Sequence, residues 1–164
     1  MHNSVIRKYT GNADGAAARV RAGTKTFIDC VMLLSDRALW NNGDYVKRNM
    51  RGKSSLSVHA TGRAVDLSYR SMGGKGKPNG RKHAIEWCKI LSKNADILGI
   101  EMIIDYYPEP HGRAWRCDRG LWKHYDTATV SGAPHGDWLH VELSPAMADN
   151  PQAVHTAFKQ VFGA

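Results

Sequence analysis

Cysteine is scarce in this sequence, and the three that occur lie far apart. Cys30, Cys88 and Cys117 form no Cys-x-x-Cys pair, and their odd number cannot pair completely. Small disulfide scaffolds and cysteine-based zinc sites depend on closely spaced sets of cysteines. The pattern therefore argues against both classes and predicts three free thiols, which proteins usually bury as small apolar side chains.

Long apolar runs are also missing. No stretch approaches the roughly 20 consecutive apolar residues that a membrane-spanning helix needs. The first 20 residues lack the apolar centre of a secretory signal peptide, so Sec-dependent export is not expected. No internal repeat or low-complexity linker divides the sequence. These absences predict a single domain over residues 1–164 and no membrane span.

Charge is plentiful but unevenly distributed. The 164 residues carry 23 lysines and arginines against 15 aspartates and glutamates, a formal net charge of +8. Residues 1–82 hold 16 of these cations and 5 of the acids, whereas residues 83–164 are slightly acidic. The asymmetry indicates one positive surface. It is either an ordinary solvated face or a surface for a polyanion, such as a nucleic acid, an anionic wall polymer or an acidic peptide.

The spacing of apolar residues predicts an α+β fold. We predict helices at 15–40, 81–98 and 151–162, and strands at 64–69, 100–107 and 137–143. Asp14 is a candidate cap for the first helix and Asn150 for the last. Residues 108–136 contain several prolines and glycines and are predicted to be irregular. The strands are expected to form a small antiparallel sheet flanked by helices.

Two segments carry side chains that bind metals. The first runs from Ser57 to Asp66 (SVHATGRAVD) and the second from Gly136 to Glu142 (GDWLHVE). His59, Asp66 and His140 together offer two imidazoles and a carboxylate, a donor set typical of catalytic zinc sites that leave one position to water. The sequence therefore predicts one Zn²⁺ per chain, with the fold bringing the third ligand to the other two.

Two further acids flank His140. Asp137 precedes it by three residues and could take a proton from a zinc-activated water. Glu142 follows it by two residues, so on a strand it shares the face of His140. Glu142 is either a rival base or a group that orients a ligand imidazole.

The first segment resembles the S-x-H-x-x-G-x-A-x-D signature of a family of zinc peptidases. This family includes D-alanyl-D-alanine carboxypeptidases and phage L-alanyl-D-glutamate endolysins. Ser57, His59, Gly62, Ala64 and Asp66 fill every fixed position of the signature. The lead-in YVKRNMRGKSSLS and the later DWLH, which is similar to the family's [ED]-x-x-H, are closest to the endolysin branch. The resemblance covers about residues 45–70 and 136–143, and the Trp-Gly-Gly stretch common in endolysins is missing.

The resemblance implies a hedgehog- or carboxypeptidase-like fold and a role for each site residue. By position, His59, Asp66 and His140 would bind zinc and Asp137 would be the catalytic base. An arginine before the signature would polarise the scissile carbonyl. Arg48 is the first candidate for it, with Arg51 behind it as a second candidate and substrate contact. Ser57 would either contact the substrate carboxylate or stabilise its own turn.

The implied activity is hydrolysis of peptide bonds in peptidoglycan stem peptides. We expect an endolysin-type L-alanyl-D-glutamate endopeptidase ahead of a D-alanyl-D-alanine carboxypeptidase. The expected partner is bacterial peptidoglycan with its anionic polymers, bound by a monomer. The expected location is the host cytoplasm followed by the cell wall after holin-type release, or the virion. A metal-dependent nuclease and a zinc-binding wall module without activity are the alternatives from other classes, although nucleic acid is not the expected partner.

Overall fold

The computed structural model describes residues 5–128 and 134–163. Within these residues, six strands form one antiparallel sheet with the order β1-β2-β6-β3-β4-β5. The strands are β1 (Trp40–Gly43), β2 (Ala64–Ser68), β3 (Ile100–Asp105), β4 (Arg113–Arg116), β5 (Trp122–His124) and β6 (Trp138–Leu143). The α-helices are α1 (Ala22–Leu34), α2 (Gly80–Lys93), α3 (Ala95–Leu98), α4 (Pro145–Ala148) and α5 (Pro151–Phe162). The α+β class and the antiparallel sheet flanked by helices are thus confirmed.

The two faces of the sheet differ in composition because side chains alternate along each strand. One face supplies Val65, Leu67, Leu139, Val141 and Ile103 to the main core. The helices pack on this face, with Phe27 of α1 and Phe158 of α5 in ring contact at 5.5 Å. The opposite face carries Asp66, His140 and Glu142, together with a second apolar cluster around Ile104, Tyr106 and Ala114.

Residues 5–21, here called the N-terminal strap, run across the end of the sheet without regular structure. The completely buried Arg63 donates to the Gly11 carbonyl and forms an ion pair with Asp14 at 3.0 Å. Asp14 also accepts from Arg21 at 2.6 Å. A buried guanidinium needs such partners, so the strap is held in place by the desolvated charge of Arg63.

The first helix is shorter than predicted. It begins at Ala22 with Arg21 at the cap position and no side-chain cap, so the prediction that Asp14 caps it is wrong. Asp14 is committed to Arg63 and Arg21 instead. The helix ends at Leu34, and Asp36 and Arg37 adopt positive φ angles before β1 begins.

Two other boundaries also differ from the sequence prediction. The helix predicted at 81–98 is divided at Asn94 into α2 and α3, although Gly99 ends it as a left-handed cap (φ 69°). The segment 108–136 contains β4 and β5, which have four and three residues and lack clear apolar alternation. The cap at Asn150 is confirmed, since its side chain accepts the Ala153 amide at 3.0 Å. The three cysteines are free, as expected, and Cys88 and Cys117 are buried, whereas Cys30 is only partly buried.

The residues described contain no helix that is both long and apolar enough to cross a membrane.

Asp105 at the end of β3 is a fully buried carboxylate between two arginines. Arg81 of α2 donates to both its oxygens at 2.8 and 2.9 Å, and Arg113 of β4 donates at 2.9 Å. Burial alone would raise the pKa of Asp105, but the two guanidinium groups outweigh it and hold the pKa below its usual value. One side chain therefore ties α2 to the sheet.

Asp105→Asn should lower the free energy of unfolding by about 3 kcal/mol, because it leaves two partly buried cations without their anion. Asp118→Asn is the matched control, since its pair with Arg116 is more exposed and worth at most about 1 kcal/mol. The wild-type contribution of Asp105 should be complete above about pH 4 and disappear as the pH falls through the lowered folded-state pKa. Urea titrations from pH 7 to pH 3 measure both effects, and equal losses in the two variants would contradict the assignment.

Candidate metal centre

Two of the predicted ligands lie on neighbouring strands. In the register between β2 and β6, Asp66 is directly opposite His140 and Ala64 is opposite Glu142. Directly opposed side chains of an antiparallel pair lie on one face of the sheet, about 5 Å apart at Cβ. Strand pairing thus joins two segments that are 74 residues apart in the chain.

The third ligand, His59, lies in a 3-10 turn (Val58–Thr61) that precedes β2. The Ser57 hydroxyl accepts the His59 amide at 3.3 Å and caps this turn. Gly62 ends the turn with φ 76°, and a Cβ there would lie 2.5 Å from the Arg19 carbonyl oxygen. Glycine is therefore required at this position for both its conformation and its size.

A backbone carbonyl orients the imidazole of His59. Its Nδ1 lies 2.6 Å from the carbonyl oxygen of Asp44, so Nδ1 carries the proton and donates it. The Nε2 lone pair is then directed at the side chains of Asp66 and His140. A metal-binding histidine usually has its second nitrogen held in this way.

The three ligand atoms form a compact triangle. His140 Nδ1 lies 3.1 Å from His59 Nε2 and 3.2 Å from Asp66 Oδ1, and the third edge, His59 Nε2 to Asp66 Oδ1, is 3.4 Å. Both histidines are buried and Asp66 is partly exposed. This group could hold a metal ion, with the partly exposed side open for a further ligand.

Charge at the site favours a cation. Burial alone would lower the pKa of His140, but Asp66 and Glu142 outweigh it and raise the pKa to about 10. Burial would likewise raise the pKa of Asp66, yet the neighbouring His140 and His59 hold it far below its usual range. Two anionic carboxylates beside two imidazoles would balance the charge of a divalent metal ion.

Glu142 lies behind His140, with its Oε2 3.8 Å from His140 Nε2. It is almost fully buried, and the Tyr9 hydroxyl lies 2.8 Å from both of its carboxylate oxygens. Burial and the nearby Glu142 raise the pKa of Tyr9, so its hydroxyl remains a donor. Of the two roles expected for Glu142, this placement favours orientation of the imidazole over proton transfer.

Two tyrosines at the site were missed by the sequence analysis. Tyr9 comes from the N-terminal strap, and nothing near it in sequence indicates a partner on β6. Tyr106 follows β3 and packs on Trp138, with ring centroids 4.8 Å apart. Its pKa is raised by burial and by Asp66 and Glu142. Tyr106 lies two residues after Ile104, so alternation along the strand places both on the same face of the sheet. Ile104 is opposite His140 in the β3–β6 register, and this alternation could have indicated Tyr106.

Asp137 is placed at the entrance to β6 but outside the ligand triangle. Its carboxylate accepts from Arg70 Nε at 2.5 Å and from Nη2 at 3.3 Å. The Arg70 side chain is 59% exposed. Such an exposed pair is worth at most about 1 kcal/mol, so the carboxylate is not locked in this position.

The remaining predicted residues lie on the segment that leads to the metal ligands. Arg48 and Arg51 are both exposed, and the guanidinium of Arg48 contacts the Asn49 carbonyl at 3.4 Å. Burial, Asp66 and Glu142 raise the pKa of Tyr106, and the charge of Arg51 opposes them only weakly. Ser57 has the turn-stabilising role, and its contact with a substrate carboxylate stays a prediction.

Comparison with known proteins assigns no family to the chain. No protein-family model matches it, and neither a curated protein nor a solved structure does. The resemblance carried by the two motifs therefore stays a prediction.

The wild-type chain should bind one equivalent of Zn²⁺, and His59→Ala should bind none, because two remaining side chains cannot complete the triangle. His124→Ala, which removes an exposed histidine of β5, should still bind one equivalent. Elemental analysis after gel filtration measures the stoichiometry. Full occupancy in the His59 variant would refute the ligand assignment.

Proposed function

We propose that this chain is a zinc peptidase that cleaves a peptide bond in the stem peptides of peptidoglycan. The observation that carries the proposal is the meeting of His59, Asp66 and His140 in one triangle of ligand atoms. These are the three positions that the peptidase signature assigns to zinc. The signature and the geometry are independent, since spacing alone does not bring residue 140 to residue 59.

Zinc is favoured by the donor set and by the size of the triangle. Zinc prefers two imidazoles and a carboxylate in tetrahedral sites, with bonds of about 2.0–2.1 Å. Ligand atoms at the corners of such a tetrahedron are about 3.3 Å apart. The three edges of 3.1, 3.2 and 3.4 Å match this value. Calcium and magnesium prefer sites made entirely of oxygen atoms, which this one is not.

A zinc ion in this position would act as a Lewis acid and make water a competent nucleophile at neutral pH. The proton of the attacking water would pass to the Asp137 carboxylate, which would return it to the departing amine. To do so, Asp137 would have to exchange its contact with Arg70 for one with the water. The side chain of Arg51 would stabilise the negative charge that develops on the carbonyl oxygen.

The proposed partner fits the charge of the segment between the two aspartates Asp44 and Asp66. This segment contains no acidic residue, and four of its cations are exposed: Lys47, Arg48, Arg51 and Lys53. Bacterial walls are rich in anionic polymer, and a cationic segment attached to the turn of His59 would hold that substrate near the metal. The substrate class is thus supported by charge as well as by the motifs.

Asp137→Ala should retain one Zn²⁺ per chain and lose hydrolysis of purified peptidoglycan by at least about 10²-fold. Asp29→Ala is the matched control, because it removes an exposed ion-paired aspartate of α1. Hydrolysis is measured as new amino groups, with and without chelator, and mass analysis of the products distinguishes endopeptidase from carboxypeptidase cleavage. Loss of zinc in the Asp137 variant would make this residue a ligand. Cleavage of DNA by a chain that leaves the peptidoglycan uncut would favour the alternative of a metal-dependent nuclease.

Arg51→Ala should lower turnover by about 10²-fold, whereas Arg48→Ala should lower it less than tenfold. The reason is that the charge of Arg51 acts, though weakly, on the pKa of Tyr106, while the guanidinium of Arg48 contacts its neighbour's carbonyl. Steady-state rates on a stem-peptide substrate measure both. The reverse order would return the carbonyl-polarising role to Arg48.

A further inference from the structure

The N-terminal strap contacts each of the segments that carry a metal ligand. The Ala17 amide donates to the Ala60 carbonyl at 2.8 Å, beside His59. Asp14 and Gly11 hold Arg63, which precedes β2. Tyr9 reaches Glu142 on β6. The strap is therefore an outer layer of the metal centre as well as a cover for the sheet.

The contact between Tyr9 and Glu142 acts closest to a ligand. Glu142 has a relative exposure of 2%, so its carboxylate depends on protein donors rather than on water. The Tyr9 hydroxyl is 2.8 Å from each of its oxygens. The same carboxylate faces His140 Nε2, the ring nitrogen opposite to the Nδ1 in the ligand triangle. A chain of contacts thus runs from Tyr9 through Glu142 to His140.

Contacts with Arg116 and Glu101 hold Tyr9 and its neighbour Thr10 in place. The guanidinium of Arg116 lies over its ring at 4.1 Å. The next residue, Thr10, donates through its amide and its hydroxyl to the buried Glu101 at 2.8 and 2.9 Å. These contacts come from residues other than the candidate ligands, so they restrict the side chain of Tyr9 independently of the metal.

We propose that Tyr9 is a positioning residue that sets the metal affinity of the site by holding Glu142 against His140. The Tyr9 hydroxyl holds the carboxylate of Glu142 in place, and that carboxylate, 3.8 Å from Nε2, acts on the imidazole electrostatically and makes it a better donor to the metal. The proposal rests on the metal-binding part of the proposed function and is independent of the peptidase activity. It extends the metal site to a residue 50 positions before the first ligand.

Tyr9→Phe tests the proposal, and Tyr45→Phe is its matched control. The Tyr45 hydroxyl donates to the Ala17 carbonyl at 2.7 Å, so its removal also costs the strap one hydrogen bond, but it does not touch Glu142. Competition with a chromophoric chelator measures the dissociation constant for Zn²⁺. Tyr9→Phe should raise this constant by about 10-fold or more, whereas Tyr45→Phe should change it less than about 2-fold. Thermal unfolding without metal should show similar small losses in both variants.

A second comparison tests whether Tyr9 acts through Glu142. In a Glu142→Gln background, Tyr9→Phe should weaken Zn²⁺ binding by much less than it does in the wild type, because the group it orients is gone. Unchanged affinity in Tyr9→Phe, or equal weakening by Tyr45→Phe, would overturn the proposal. A wild-type chain that binds no Zn²⁺ would overturn it together with the metal site. A chain that binds Zn²⁺ but leaves peptidoglycan intact would overturn the peptidase proposal alone.

Discussion

The antiparallel pairing of β2 with β6 is the interaction on which the rest of the structure depends. It places Asp66 opposite His140, and it joins an early segment of the chain to a late one at the centre of the sheet. A shift of one residue in this register would exchange the face of every side chain on the strand. Val65 or Leu67 would then lie among the ligands, and Asp66 would enter the apolar core. The burial of those neighbours under the helices therefore fixes the geometry of the metal centre.

The main apolar core and the candidate metal centre lie on opposite faces of the sheet. Its helix-covered face is mainly apolar and closely packed. Besides Asp105 and its arginines, two groups of buried charge lie where the strap meets the sheet. Arg63 with Asp14 anchors the strap, and Asp66 with His140 and Glu142 forms the candidate metal centre. Buried charges are costly unless they are paired, so each group requires its partners to be in place. The strap supplies partners to both groups, which makes it part of the site although it has no regular structure.

The three candidate ligands could be picked out from sequence because residue type and spacing are local properties of a motif, and the structure brings their side chains together. The α+β class, the cap at Asn150 and the helix end at Gly99 were predictable for the same reason. Tyr9 and the carbonyl of Asp44 were not, because their contacts depend on how distant segments pack. Asp14 shows the same limit. Its position before the predicted helix indicated a cap, but its carboxylate forms an ion pair with the buried Arg63 instead. The short strands β4 and β5 carry too few residues for a periodic signal.

The order of the site residues along the chain has a consequence for folding. Tyr9, His59, Asp66 and His140 span most of the sequence, so the contacts that form the site are of high sequence separation. Contacts of this kind close long loops and form late, after local structure is in place. A nascent or unfolded chain offers no preformed triangle to a metal ion. Capture of a metal ion by this group would therefore be coupled to completion of the fold, and a bound ion would stabilise the folded state over the unfolded chain.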